Sequence, residues 1–141
     1  MGMGVVIRNN NGEFYAAKSS FISGCLDPTV AEALAAVHAI NFNKELGIQR
    51  LQLEGDAKNV VNAIISREEN WSRMGHIIDD AKKLLEGIHH REINFVGRNA
   101  NFAAHIIATQ AAQLSVAREW LGEIPDCILE VIQREQSVTC V

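Results

Sequence analysis

No apolar run in these 141 residues approaches the roughly 20 residues that a membrane-spanning helix needs. The N-terminus, Met1-Gly2-Met3-Gly4-Val5-Val6-Ile7, is a short apolar stretch without a basic flank, so it does not read as a signal peptide. Met1-Gly2 resembles a myristoylation start, but the sixth position is Val6 rather than Ser or Thr. Cys25, Cys127 and Cys140 are widely spaced, with no CxxC and no Cys/His ligand spacing. That pattern gives no zinc or disulfide framework and fits a reducing intracellular compartment, nuclear or cytoplasmic. His89-His90 lacks partner ligands and reads as a solvated turn rather than a metal site. There is no internal repeat and no low-complexity tract. Acid is scarce at the start, since the chain upstream of Asp27 has no Asp and only Glu13.

What is present describes one soluble globular domain. A hydrophobic fraction of 48% and a charged fraction of 21% are ordinary for such a protein, and 141 residues bury a real core. The net charge of −4 argues against avid nonspecific binding of nucleic acid, which depends on many Lys and Arg contacts to phosphate. From Glu119 onward stand Glu119, Glu123, Asp126, Glu130 and Glu135 against Arg134 alone, so this tail carries the whole net charge and the body is neutral. Lys58, Arg91 and Arg98 are candidates for a local basic surface on that body. Trp71 and Trp120 are candidates for base stacking, with core packing as the commoner use of such residues.

Hydrophobic periodicity orders the chain. Gly4 to Ile7 reads as a buried strand, Asn11-Gly12 as a tight turn tolerant of positive φ, and Glu13 to Ser19 as the returning strand of a hairpin. Asp27-Pro28 marks a helix start, Val30, Ala33, Leu34, Val37 and Ile40 recur at helical spacing, and Gly47 is the stop. Ile48, Leu51 and Leu53 suggest a short strand, and Asp56 opens a helix through Val60, Val61, Ile64 and Ile65. Met74 to Ile88 follows the i, i+3, i+4, i+7 pattern of an amphipathic helix. Arg91 to Val96 alternates as a half-buried strand, with Ile93 and Phe95 on the apolar side. Asn101 caps a last core helix with Phe102, Ala103, Ile106, Ile107, Ala111 and Leu114. Trp120 to Ile132 reads as a loop and a short peripheral helix. The order describes a mixed α/β sheet with helices packed on its faces.

Two carboxylates stand out in that frame. Glu32 lies near the start of the first helix, in Val30-Ala31-Glu32-Ala33, and Asp56 at the end of the strand Leu51-Gln52-Leu53-Glu54-Gly55-Asp56. A helix carboxylate and a strand-end carboxylate that converge supply the hard oxygen ligands of a two-metal phosphodiester-cleaving site. Each has a plainer alternative. Thr29-x-x-Glu32 matches a capping box, and Asp56 before Ala57 matches an N-cap. Glu54 should point away from the site side.

Four blocks then carry a resemblance: Gly2 to Gly12, Val30 to Ala36, Leu53 to Val61, and Val96-Gly97-Arg98-Asn99-Ala100-Asn101-Phe102-Ala103-Ala104-His105. In this order and spacing, from Gly2 to Ser115, they resemble the ribonuclease H-like domains abundant in plant genomes, often labelled reverse-transcriptase-like. Trp120 to Pro125 resembles the ends of the same plant domains. The resemblance implies a domain over residues 1–115, a tail over 116–141, and a ribonuclease H-like mixed sheet in the order 3-2-1-4-5 with helices on both faces. It implies metal-dependent hydrolysis of RNA in RNA–DNA hybrids, with Mg2+ or Mn2+ as cofactor and nucleic acid as partner. Glu32 falls on the helix ligand and Asp56 on the fourth-strand ligand. His105 occupies the last-helix position, usually Asp, and is either a vestigial ligand or a solvent-facing residue. The family's first strand, with its Asp, has no counterpart, because the chain starts at the second strand; an N-terminal truncation, as from an incomplete gene model, is the expected reason. Direct pairing of the second and fourth strands, or pairing with another molecule, are the other ways to satisfy the sheet. With so few ligands, hydrolysis is expected to be weak or absent. The alternative is a noncatalytic nucleic-acid-binding or protein-interaction module on the same fold, with a protein partner or homo-oligomer and no membrane.

Overall fold

The strands and helices run β1 Gly2–Arg8, β2 Phe14–Phe21, α1 Pro28–Glu45, β3 Arg50–Gly55, α2 Lys58–Ile65, α3 Gly75–Glu86, β4 His90–Phe95, α4 Phe102–Leu114, β5 Arg118–Leu121 and α5 Leu129–Thr139. The computed structural model describes residues 1–9, 11–24, 27–69 and 72–139, except the side chains of Phe95, Arg98 and residues 135–139. Asn10, Cys25, Trp71 and Cys140 lie outside the described residues, as do the Phe95 and Arg98 side chains. The chain forms two compact units, Met1–Gly24 with Phe102–Val141, and Cys25–Asn101. The mixed α/β class is as the periodicity implied.

In the first unit β1 and β2 are antiparallel, with Val5 opposite Lys18 and Val6 opposite Ala17, and a bulge between Ile7 and Arg8. The hairpin turn is wider than a two-residue Asn-Gly turn. Asn9 Oδ1 accepts the amide protons of Asn11 and Glu13, both at 2.9 Å, and Gly12 takes φ +79°. The side-chain carboxamide therefore closes the loop, and of Asn11 and Gly12 only the glycine needs the left-handed region.

The face of β1 holding Gly2 and Gly4 meets α4 without intervening side chains. A Cβ on Gly4 would fall on the Ala104 carbonyl oxygen, and one on Gly2 on the Ala108 carbonyl oxygen. Glycine on the strand and alanine on the helix allow backbone to approach backbone. Buried α4 residues are Ala103, Ile107 and Ala111, whereas Phe102 and Leu114, read from the sequence as core, are exposed. Asn101 ends a 3-10 turn, Arg98–Asn101, that runs straight into α4.

The stretch read as a loop with a peripheral helix differs most. Arg118–Leu121 is a strand, β5, paired antiparallel to β2 with Trp120 opposite Ala17. Ser19 Oγ accepts the Arg118 amide proton at 3.1 Å where the two strands join. Ile128 and Ile132 are fully buried against Ala17, Ala103 and Ile107, and Trp120 packs on the same cluster. Each such isoleucine contributes about 1.5–3 kcal/mol of burial, so the tail is part of this unit's core. The alternation in Arg118–Leu121 is too short to read as a strand without its partner.

In the second unit β3 and β4 form a two-stranded parallel sheet, Leu51 opposite Arg91 and Leu53 opposite Ile93. Leu51, Leu53 and Ile93 pack on a core of Ala33, Ile40, Val60, Ile64, Ile78, Ala81, Leu85 and Ile88, drawn from α1, α2, α3 and the turn after α3. The residues opposite in phase, Gln52 and Glu54, are exposed. α1 stops as the sequence implied, with Gly47 at φ +71°. It buries more than one face, since Phe42 and Asn43 are buried as well as Ala33 and Ile40. Asn43 Nδ2 donates to the Ile48 carbonyl at 3.2 Å, which ties the end of α1 to the chain entering β3.

The resemblance implied the order 3-2-1-4-5 without its first strand, which leaves the pairs 3-2 and 4-5. Those pairs are present as β1 with β2 and β3 with β4, in two sheets, β1-β2-β5 and β3-β4. β5 is an addition from the tail.

Candidate active site

Glu32 is exposed on the second turn of α1, and its backbone setting comes from Asp27-Pro28. Asp27 is the N-cap: its Oδ1 accepts the Thr29 amide proton at 2.9 Å, and Pro28 occupies the first helical position. A capping box would have Glu32 accept that same Thr29 proton. The acceptor of that proton is Asp27.

Asp56 sits half-buried between the end of β3 and the start of α2. The N-cap residue of α2 is Ala57, in extended conformation, whose methyl side chain accepts no hydrogen bond. The carbonyl of Ala57 takes the amide protons of Val60 and Val61 at 3.1 and 3.0 Å. The first-turn amides give α2 a locally positive end, with exposed Lys58 beside it.

These two segments meet at an open cavity of about 210 Å³. Pro28, Thr29 and Glu32 line it from α1, and Ala57, Lys58, Asn59 and Val60 from the start of α2. Glu32 is therefore brought to the residues that directly follow Asp56, and Asp56 itself is one residue outside the lining. Asn59 was not singled out in the sequence, and Thr29 only as a capping-box residue; the signal for both was closeness in the chain to Asp56 and Glu32.

His105 belongs to the other compact unit, exposed on α4, where its carbonyl accepts the Thr109 hydroxyl proton at 2.9 Å. Exposure agrees with the solvent-facing alternative. The three cations proposed as one basic surface do not line one site: Lys58 lines the cavity above, Arg91 lines another, and the Arg98 side chain is outside the described residues. His89 and His90 are both exposed; His89 lies in the bend before β4, and His90 is the first residue of that strand rather than part of a turn.

A divalent cation of the magnesium type needs several oxygen ligands, and two ions need more carboxylate than one pair provides. Among the described residues no three side chains of His, Cys, Asp or Glu group as metal ligands. The donors present do not fit a two-metal centre, and no catalytic step through metal follows from them.

The reverse transcriptase-like family model matches residues 1–111. Among solved structures, RNase H1 from the halophilic archaeon Halobacterium salinarum is similar, with a TM-score of 0.73 at 22% identity over 82% of this chain and 86% of that one. The N-terminal RNase H domain of a Mycobacterium tuberculosis protein, solved as a fusion with maltose-binding protein, has a TM-score of 0.62 at 15% identity over 81% of this chain and 93% of that one. No curated protein matches the chain. At such identities the likeness to solved structures establishes fold alone, while the family model covers most of the sequence. The chain belongs to the reverse transcriptase-like family and has the ribonuclease H-like fold.

Proposed function

We propose that the chain is a ribonuclease H-type domain whose ancestral reaction is metal-dependent hydrolysis of RNA in RNA–DNA hybrids, retained here weakly or not at all. The observation that carries the reading is the cavity at which Glu32 meets Ala57, Lys58 and Asn59, the residues that directly follow Asp56. By resemblance, Glu32 and Asp56 correspond to two of the family's ligand positions. The small donor set supports the second half of the reading. If cleavage persists, Mg2+ or Mn2+ is its cofactor, Glu32 and Asp56 are its ligands, and His105 is a third candidate.

Incubating the chain with a labelled RNA–DNA hybrid and either metal tests this. Cleavage at or near background is expected. Robust metal-dependent cleavage that Asp56→Asn abolishes would overturn the proposed loss of activity. The second reading, a noncatalytic module, is favoured by exposed Lys58 beside the N-terminus of α2, a setting that attracts phosphate. Salt-sensitive hybrid binding without cleavage supports its nucleic-acid form. Absence of binding at low salt favours a protein partner or a homo-oligomer.

A further inference from the structure

The second unit holds another cavity, of about 300 Å³, which plays no part in the site above. Ile64 and Ile65 line it from α2, Lys82 and Leu85 from α3, and Arg91 and Ile93 from β4. β4 ends its sheet: it pairs with β3 on one side, and among the described residues no strand pairs on the other. Ile65 is 56% exposed, a large apolar side chain left uncovered at the groove.

We propose that this open edge takes an extended acidic–apolar peptide segment of a partner protein, added as a further strand. Residues directly opposite in a ladder point to the same face. Side chains of an added strand opposite Arg91 and Ile93 therefore enter the groove. An apolar side chain opposite Ile93 meets Ile64 and Leu85. A carboxylate opposite Arg91 meets that guanidinium and Lys82, whose ammonium is held at the rim by the Glu68 carbonyl at 3.3 Å. The residue between them faces the other way, alongside Glu92, where an acid is disfavoured. The preferred pattern is apolar, neutral or basic, then acidic, in either chain direction.

Backbone pairing supplies affinity in this mode and the groove supplies selectivity. A second copy of the chain is a poor occupant, because its own β4 would bring His90 and Arg91 to the same cations. Among the described residues the lining offers an apolar floor and no aromatic face for base stacking, which favours peptide over single-stranded nucleic acid. The inference does not depend on the proposed activity.

The test titrates the full chain into a short fluorescein-labelled peptide with valine and glutamate alternating at groove-facing positions and threonine between, read by anisotropy. Saturable binding is expected, weakened about tenfold when the glutamates become lysines. Arg91→Glu, at an exposed position and checked for native circular dichroism, should reverse that preference. N-methylation of the peptide's edge-facing amides should abolish binding. No saturable binding, equal binding of both peptides, or indifference to N-methylation overturns the proposal. So does a result in which Arg91→Glu weakens binding of a hybrid duplex while the peptide does not bind.

Discussion

At Gly4 a single hydrogen in place of a side chain decides how close α4 comes to the sheet. The obstacle that a Cβ would meet is main chain, the Ala104 carbonyl and the Ala108 amide nitrogen, rather than a side chain able to turn aside. Gly4→Ala should therefore cost about 1–3 kcal/mol by overpacking, after the smaller entropic gain from losing a strand glycine. A lowered urea midpoint at unchanged slope is the expected readout. Ala57 is the opposite case, an N-cap position whose own side chain cannot accept a hydrogen bond. Ala57→Ser should stabilise the chain by about 0.5–1 kcal/mol, because serine can accept an amide proton from the first turn of α2. Thermal unfolding of the two proteins would show it, and an unchanged midpoint would mean that the amide is already satisfied. Cys127 is a third local case. Burial pushes its thiol above the ordinary range, more than its backbone hydrogen bond lowers it, and Asp126 adds to the rise. The unfolded thiol ionises first, so stability falls as pH rises through the ordinary thiol range of about 8.5. In a Cys25→Ser, Cys140→Ser background, iodoacetamide should modify folded Cys127 more slowly than the same chain in urea at that pH.

At the scale of elements, helices with punctuation were legible and the tail was not. Asp27-Pro28 and Gly47 bound α1 because cap, proline and glycine act through local geometry alone. Near Glu32 the local pattern offered both Asp27-Pro28 and a Thr29 capping box, and the cap is Asp27; α2 has its N-cap at Ala57, one residue past the Asp56 read as its opening. Phe102 and Leu114 fit the apolar stripe of α4 but are exposed, because Gly2 and Gly4 draw the helix in along its small residues. β5 depends on β2, far away in the chain, and has no local signature. Ile132 turns that difference into a measurement. As a peripheral residue its loss would be nearly neutral; fully buried beside Ile128, Ile132→Ala should cost about 2–5 kcal/mol. Cutting the chain after Ser115 should go further and abolish cooperative unfolding, by removing β5 and the α5 side of the core together.

For the whole molecule the decisive quantity is where charge lies. The net −4 comes from the segment after Arg118, and there Glu119, Glu123, Asp126 and Glu130 are all exposed. That segment is also structural, so its acids are fixed on a folded surface rather than carried on a loose tail. Converting Glu119, Glu123 and Glu130 to Gln and Asp126 to Asn would bring the chain from −4 to neutral without touching the buried isoleucines. If the chain meets nucleic acid, those acids oppose it, and the neutralised protein should bind an RNA–DNA hybrid about threefold to tenfold more tightly at low ionic strength. Exposed charges are screened beyond a Debye length of about 3 Å at 1 M salt, so the gain should vanish there. An anisotropy titration across salt concentration separates the possibilities. A gain that disappears with salt places the chain near a phosphate backbone. No gain at any salt concentration, with the fold intact, would leave Lys58 and the start of α2 without a nucleic-acid role and turn attention to protein partners.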